Sequence, residues 1–228
     1  LASLKNRVAA GPGWKVLVVA DLLIVILLIA VRQSSVGLGL VAVLAVLVNG
    51  EIARVERFGR PGHNGASYTT RSRRVRRMIR EVTEAALSCG TPDVFVIEEH
   101  PYAVGNQGNE FDRAAIWHGV YGNMDARNIP GVVVNNKTGK SWVTGIGNAV
   151  KTDVIAVIDQ WYAGTYGDQL PDKLGAMPKS HHPDDLADAL GYATMGAYKL
   201  GDPLPFEPKE RHRTALLTLP WPKIATAR

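Results

Sequence analysis

The chain has 228 residues, enough for one sizeable core, and its 46% hydrophobic and 21% charged content excludes a disordered or low-complexity protein. A formal net charge of +5 suits a polyanionic partner or an anionic membrane surface. Cys89 is the only cysteine, which excludes an intrachain disulfide and a cysteine-rich zinc site and fits a reducing, intracellular setting.

Residues 1–15 read as a loose arm around Gly11-Pro12-Gly13. Two apolar runs follow, VLVVADLLIVILLIAV (16–31) and VGLGLVAVLAVLV (36–48), split by RQSS. A membrane hairpin is one reading. Each run is shorter than the ~20 apolar residues that span a bilayer, and their Val and Ile content suits strands buried on both faces. Asn49-Gly50 between VLAVLV and EIARVERF is a two-residue hairpin signal, so the second run is expected to end as a strand paired with Glu51–Phe58.

RPGHNGAS reads as a loop. YTTRSRRVRRMIREVTEAALSCG then reads as a helix with Val75, Met78, Ile79, Val82 and Ala86 on its apolar stripe. Arg73, Arg74 and Arg77 lie on its basic surface, available to phosphates or simply solvated. A buried strand, Val94–Ile97, delivers Glu98 at its carboxyl end. A helix from about Glu110 and a strand at Val132–Val134 come next. The following stretch, NNKTGKSWVTGIGNAVK, reads as a basic Gly-rich turn carrying Lys137, Lys140 and Lys151, where small residues let a phosphate backbone approach. Another helix follows; Trp161 and Tyr162 at its end fit core packing better than base stacking. HHPDDLADALGYA starts a helix with Pro183 at an early position and acids in the first turn. Asp185 and Asp188, three apart, share one face. His181 and His182, as helix-entry residues, need no further role. After Gly201 the tail is proline-punctuated, basic and expected to be irregular. There is no internal repeat, no GxxxxGK[ST] phosphate loop and no HExxH.

A strand-end glutamate and a helical aspartate pair are oxygen donors suited to hard divalent cations, and two such cations can clamp both oxygens of a phosphodiester displacement. Taken singly, these acids are better explained by helix-dipole pairing and solvation than by metal binding. The ordered set says more. VIEE (96–99), TGIGNAVKTDV (144–154) and DLADAL (185–190), spanning Val94–Ala197, together resemble the RuvC-type Holliday-junction resolvases, including those encoded by phages.

The resemblance implies an α/β fold, a ribonuclease H-like mixed sheet flanked by helices, over residues 36–201. Residues 1–35 would then be an arm and apolar segment, and 202–228 a basic, Pro-rich tail. It implies an endonuclease that cuts branched DNA as a homodimer, by two-metal hydrolysis with Mg2+ or Mn2+, in the cytoplasm of a bacterium or a phage-infected host cell. Glu98, Asp185 and Asp188 would be metal ligands, with Lys140, Lys151, Lys137, Arg73, Arg74 and Arg77 as nucleic-acid contacts. The family's first strand also carries an aspartate. Counting back from Asn49-Gly50 puts its place near Gly37 or Gly39, neither of which can bind a metal through a side chain; Asp21 is the other candidate. Two alternatives stay open: a catalytically incomplete DNA-binding protein, and a membrane-anchored protein using residues 16–48.

Overall fold

The computed structural model describes residues 23–28, 40–62, 65–100, 110–168 and 170–223. Within the two apolar runs lie strands β1 (Leu23–Leu28) and β2 (Leu40–Val48), which pair antiparallel, and β2 pairs antiparallel with β3 (Glu51–Arg60). Asn49 and Gly50 take the φ values of 52° and 80° that a tight hairpin turn demands. Glycine is required here a second time, because a Cβ at Gly50 would fall 1.9 Å from the Pro203 carbonyl oxygen. Among the described residues no helix is long and apolar enough to cross a membrane.

The order continues with α1 (Tyr68–Leu87), β4 (Phe95–Glu98), α2 (Glu110–Asp125), β5 (Gly131–Val134), α3 (Asn136–Thr144), α4 (Lys151–Tyr162), α5 (Pro183–Leu200) and α6 (Glu210–Leu217). β4 and β5 are parallel, and β1 lies against β4, so the two ladders share one mixed layer. Strand periodicity sorts the core onto its two faces. Val41, Val43, Ala45 and Leu47 join Val96, Val132 and Val134 in a cluster with α3, α4 and α5. Leu40, Ala42, Leu44 and Val46 join Phe95 and Ile97 in a cluster with α1 and α2. The β2 run is apolar throughout because both of its faces are covered.

On the second face α1 and α2 run side by side in the same direction. Arg71 and Arg74 meet Asp112 near their starts, and Asn123 donates to Thr83 further along (3.1 Å). Gly119 lets them close, since a Cβ there would stand 2.4 Å from the Ile79 side chain.

Residues 23–28, within the first apolar run, form a sheet strand, in keeping with the buried-strand reading. Two expectations change. The basic turn is largely a helix, α3, because Asn135 caps it and Trp142 and Val143 bury its inner face. The carboxyl-terminal region is not an irregular tail. It forms α6 and packs on the core: Phe206 stacks on Trp161 (centroids 4.0 Å), the buried His212 stands edge-on to Trp142, and Arg211 Nη2 donates to the Val143 carbonyl (3.1 Å). Trp161 and Tyr162 serve packing, as the sequence suggested: Tyr162 is buried, its hydroxyl 2.8 Å from that of Thr194.

Candidate active site

The last residue of β4 is pinned through its main chain. Trp117 Nε1 donates to the Glu98 carbonyl (2.7 Å), and the next amide, Glu99, donates to the Val134 carbonyl (2.8 Å). The half-buried Glu98 carboxylate is oriented by Asn136, whose Nδ2 donates to Oε1 at 2.7 Å. Asn136 is the first residue of α3, directly after β5, so the parallel β4–β5 pair delivers both groups to the same end of the sheet.

Helix α5 brings the remaining acids. His182 enters it at φ 51°, and Pro183 opens the first turn, where its missing N–H is no loss. Asp184 and Asp185 complement the amino-terminal end of the helix dipole. Asp185 is fully buried, with its Oδ2 3.9 Å from His182 Nδ1. Asp188, one turn on, is half-buried. The tyrosine one further turn along, Tyr192, ties these acids to Glu98. Its hydroxyl is buried, and burial, together with the negative charges of Glu98 and Asp188, drives its pKa well above the ordinary value. Both carboxylates thus lie within electrostatic reach of that hydroxyl. Gly139 of α3 makes room for that ring, since a Cβ there would lie 2.6 Å from the Tyr192 oxygen.

The basic residues divide by what they touch. Lys151, at the start of α4, pairs with Asp184. Arg74 is bound to Asp112 at 3.1 Å and Arg77 to Glu81 at 2.8 Å. Arg73 and Lys137 are exposed, with no ion pair among the described residues, and Lys140 is half-buried on α3. Lys137 and Lys140 follow Asn136 on the same helix and so flank the Glu98 end.

Asp21 lies outside the described residues. Leu23, the nearest described residue, pairs with Val48 beside the hairpin turn. β1 itself reads LIVILL, and no Asp or Glu occurs between Asp21 and Glu51.

Glu98, Asp185 and Asp188 suit a divalent cation by chemistry, being hard oxygen donors, and a buried carboxylate such as Asp185 is the kind of group a cation neutralises. Among the described residues, however, no three His, Cys, Asp or Glu side chains stand close enough together to enclose a metal ion. The sequence had singled out the three acids. It gave no local signal for Asn136 or Tyr192, whose roles come from tertiary placement.

No protein-family model matches the chain, and no curated protein does. Solved structures do. The Thermus thermophilus RuvC structure superposes with a TM-score of 0.51 at 17% identity, covering 81% of this chain and 100% of that one. T. thermophilus RuvC in complex with Holliday junction substrate gives 0.51 at 17%, covering 80% and 99%. At this identity the likeness is one of fold. It bears out the α/β, ribonuclease H-like architecture expected from the order of elements.

Proposed function

We propose that this chain is a divalent-metal-dependent endonuclease acting on branched DNA, with four-way junctions as its substrate. The observation that carries the reading is the Glu98 carboxylate, delivered by the end of β4 and oriented by Asn136 (2.7 Å), with α5 and its Asp185–Asp188 pair packed against that strand, within a fold shared with a junction-bound RuvC. Magnesium, or manganese, held by Glu98, Asp185 and Asp188 would supply charge to polarise a phosphodiester and lower the pKa of a water. The chain's own residues do the rest. Asn136 orients Glu98, and the α5 backbone fixes Asp185 and Asp188 on one face. Lys137 and Lys140 hold the phosphate backbone near that end, and Arg73 adds attraction along α1, giving binding that weakens with salt. A homodimer would present two such ends to a symmetric junction.

A specific observation favours a second reading, a junction-binding protein with an incomplete site. The described first strand, Leu23–Leu28, carries no carboxylate, and no acid follows it until Glu51. Cleavage and binding assays separate the two. A labelled junction is incubated with wild type and Asp21→Asn in Mg2+, Mn2+ or EDTA, beside a linear duplex of the same sequence. Metal-dependent nicking of the junction alone supports the nuclease; tight binding with no nicking in either metal supports the incomplete site.

A further inference from the structure

We infer that Asn136 is the positioning residue for Glu98, setting the carboxylate's orientation toward a bound cation while adding no charge of its own. The inference rests on the metal-dependent reading above and extends it to a residue on a different element.

The geometry is direct. A carboxylate only accepts, so the Asn136 amide must turn its nitrogen toward Glu98 Oε1, and at 2.7 Å this is a short, charge-assisted hydrogen bond. Glu98 ends a four-residue strand, where three side-chain torsions would otherwise leave the carboxylate a wide choice of directions. One fixed oxygen sets the plane of the group.

Asn136 is itself held. It is the first residue of α3, and Asn135 caps that helix by accepting from the Thr138 amide at 2.8 Å. Capping is thus done by Asn135, so Asn136 is not needed for that task and its side chain turns to β4 instead. One turn later Gly139 presses against the Tyr192 ring, and Tyr192 feels the charges of Glu98 and Asp188. The hydrogen bond therefore joins α3 to β4 where α5 closes on both.

The residue type matters. A lysine or arginine here would pair with Glu98 as Lys151 pairs with Asp184, and its charge would oppose a cation. An aspartate would repel Glu98. An amide supplies a donor without either penalty, as is common for groups that orient metal-binding carboxylates from behind.

The test is Mn2+ binding measured by calorimetry on wild type, Asn136→Ala, Asn136→Ser and Glu98→Gln, with the thermal midpoint of each metal-free protein recorded alongside. Neither Ala nor Ser carries a donor that reaches Glu98, so either one that folds decides the question. The expected result is Mn2+ affinity lowered at least ~10-fold in the Asn136 variants, the usual effect of losing an outer partner, with metal-free midpoints close to wild type. Wild-type affinity in the Asn136 variants, with binding lost in Glu98→Gln, would overturn the positioning role and leave the nuclease reading intact. A lowered midpoint with unchanged Mn2+ affinity would do the same, reducing Asn136 to a structural contact. Unchanged affinity in Glu98→Gln would instead contradict the metal-binding reading itself.

Discussion

The Lys151 ammonium donates to the Asp184 carboxylate, joining the first residue of α4 to the first turn of α5. The lysine side chain is half exposed while the aspartate is nearly enclosed, so the contact acts first as a clip between two helices and only secondarily as a positive charge for DNA. Lys151→Met is expected to lower stability by about 1 kcal/mol or less, the range of partly exposed ion pairs. It should reduce the slope of log affinity against log salt by less than the ~1 unit of a full phosphate contact. Lys137→Ala should give that full loss of slope with no change in stability. Urea unfolding and junction binding between low and high salt check both; a full unit lost on Lys151→Met would contradict the clip.

The arginines of α1 divide in the same way. Arg74 is largely buried and shares Asp112 with Arg71, whereas Arg73 is exposed. Arg74→Ala leaves the buried Asp112 with one cation in place of two, and is expected to destabilise by about 1–3 kcal/mol. Arg73→Ala should leave the unfolding midpoint in place and weaken DNA binding at low salt. Equal stability loss in the two variants would show that the sorting by burial is wrong.

Gly139→Ala tests how tightly α3 and α5 close. The added methyl would stand 2.6–2.7 Å from the Tyr192 ring and hydroxyl, inside any tolerable contact, and the ring is enclosed on every side. Overpacking of this kind costs about 1–3 kcal/mol. Because Gly139 shares α3 with Asn136, whose amide orients Glu98, cleavage should fall as well. A variant as stable and active as wild type would mean the Tyr192 packing is loose.

The acid limb of stability carries a contribution from His212. Burial, followed by the charges of Arg211 and Lys209, pushes its pKa down from 6.5 to about 4. Its Nδ1 accepts from the Lys209 amide (2.8 Å), a bond that needs the neutral ring. Between about 4 and 6.5 the unfolded chain binds this proton and the folded one does not, so stability rises with pH there and is lost as pH falls. His212→Gln should flatten the fall in thermal midpoint between pH 6.5 and 4. An unchanged profile would contradict the assignment.

What was legible in the sequence follows from where its information is local. Asn49-Gly50 and the doubly buried β2 run announced the hairpin, because the turn needs positive φ at two residues and the strand needs apolar side chains on both faces. Glu98 and the Asp185–Asp188 pair were legible because a buried strand ending in an acid and an acidic first turn after Pro183 are local patterns. Helix α3 reads as a turn in the sequence, since Asn135, Asn136 and Gly139 are common turn residues and its helicity depends on Trp142 and Val143 finding the core. Helix α6 was hidden by flanking prolines and is held by Trp161, Trp142 and Val143, all far from it in sequence. Asn136 could not be found locally at all: its partner is 38 residues away.

The most direct measurement is single-turnover cleavage of a labelled four-way junction by wild type and Asp188→Asn, at equal junction occupancy, with Mg2+, Mn2+ or EDTA. The account predicts paired nicks near the branch point in wild type with metal, none in EDTA, and a loss of at least ~100-fold in Asp188→Asn with binding retained. Cleavage by Asp188→Asn at the wild-type rate, or a wild type that binds the junction and leaves it intact in both metals, would contradict it.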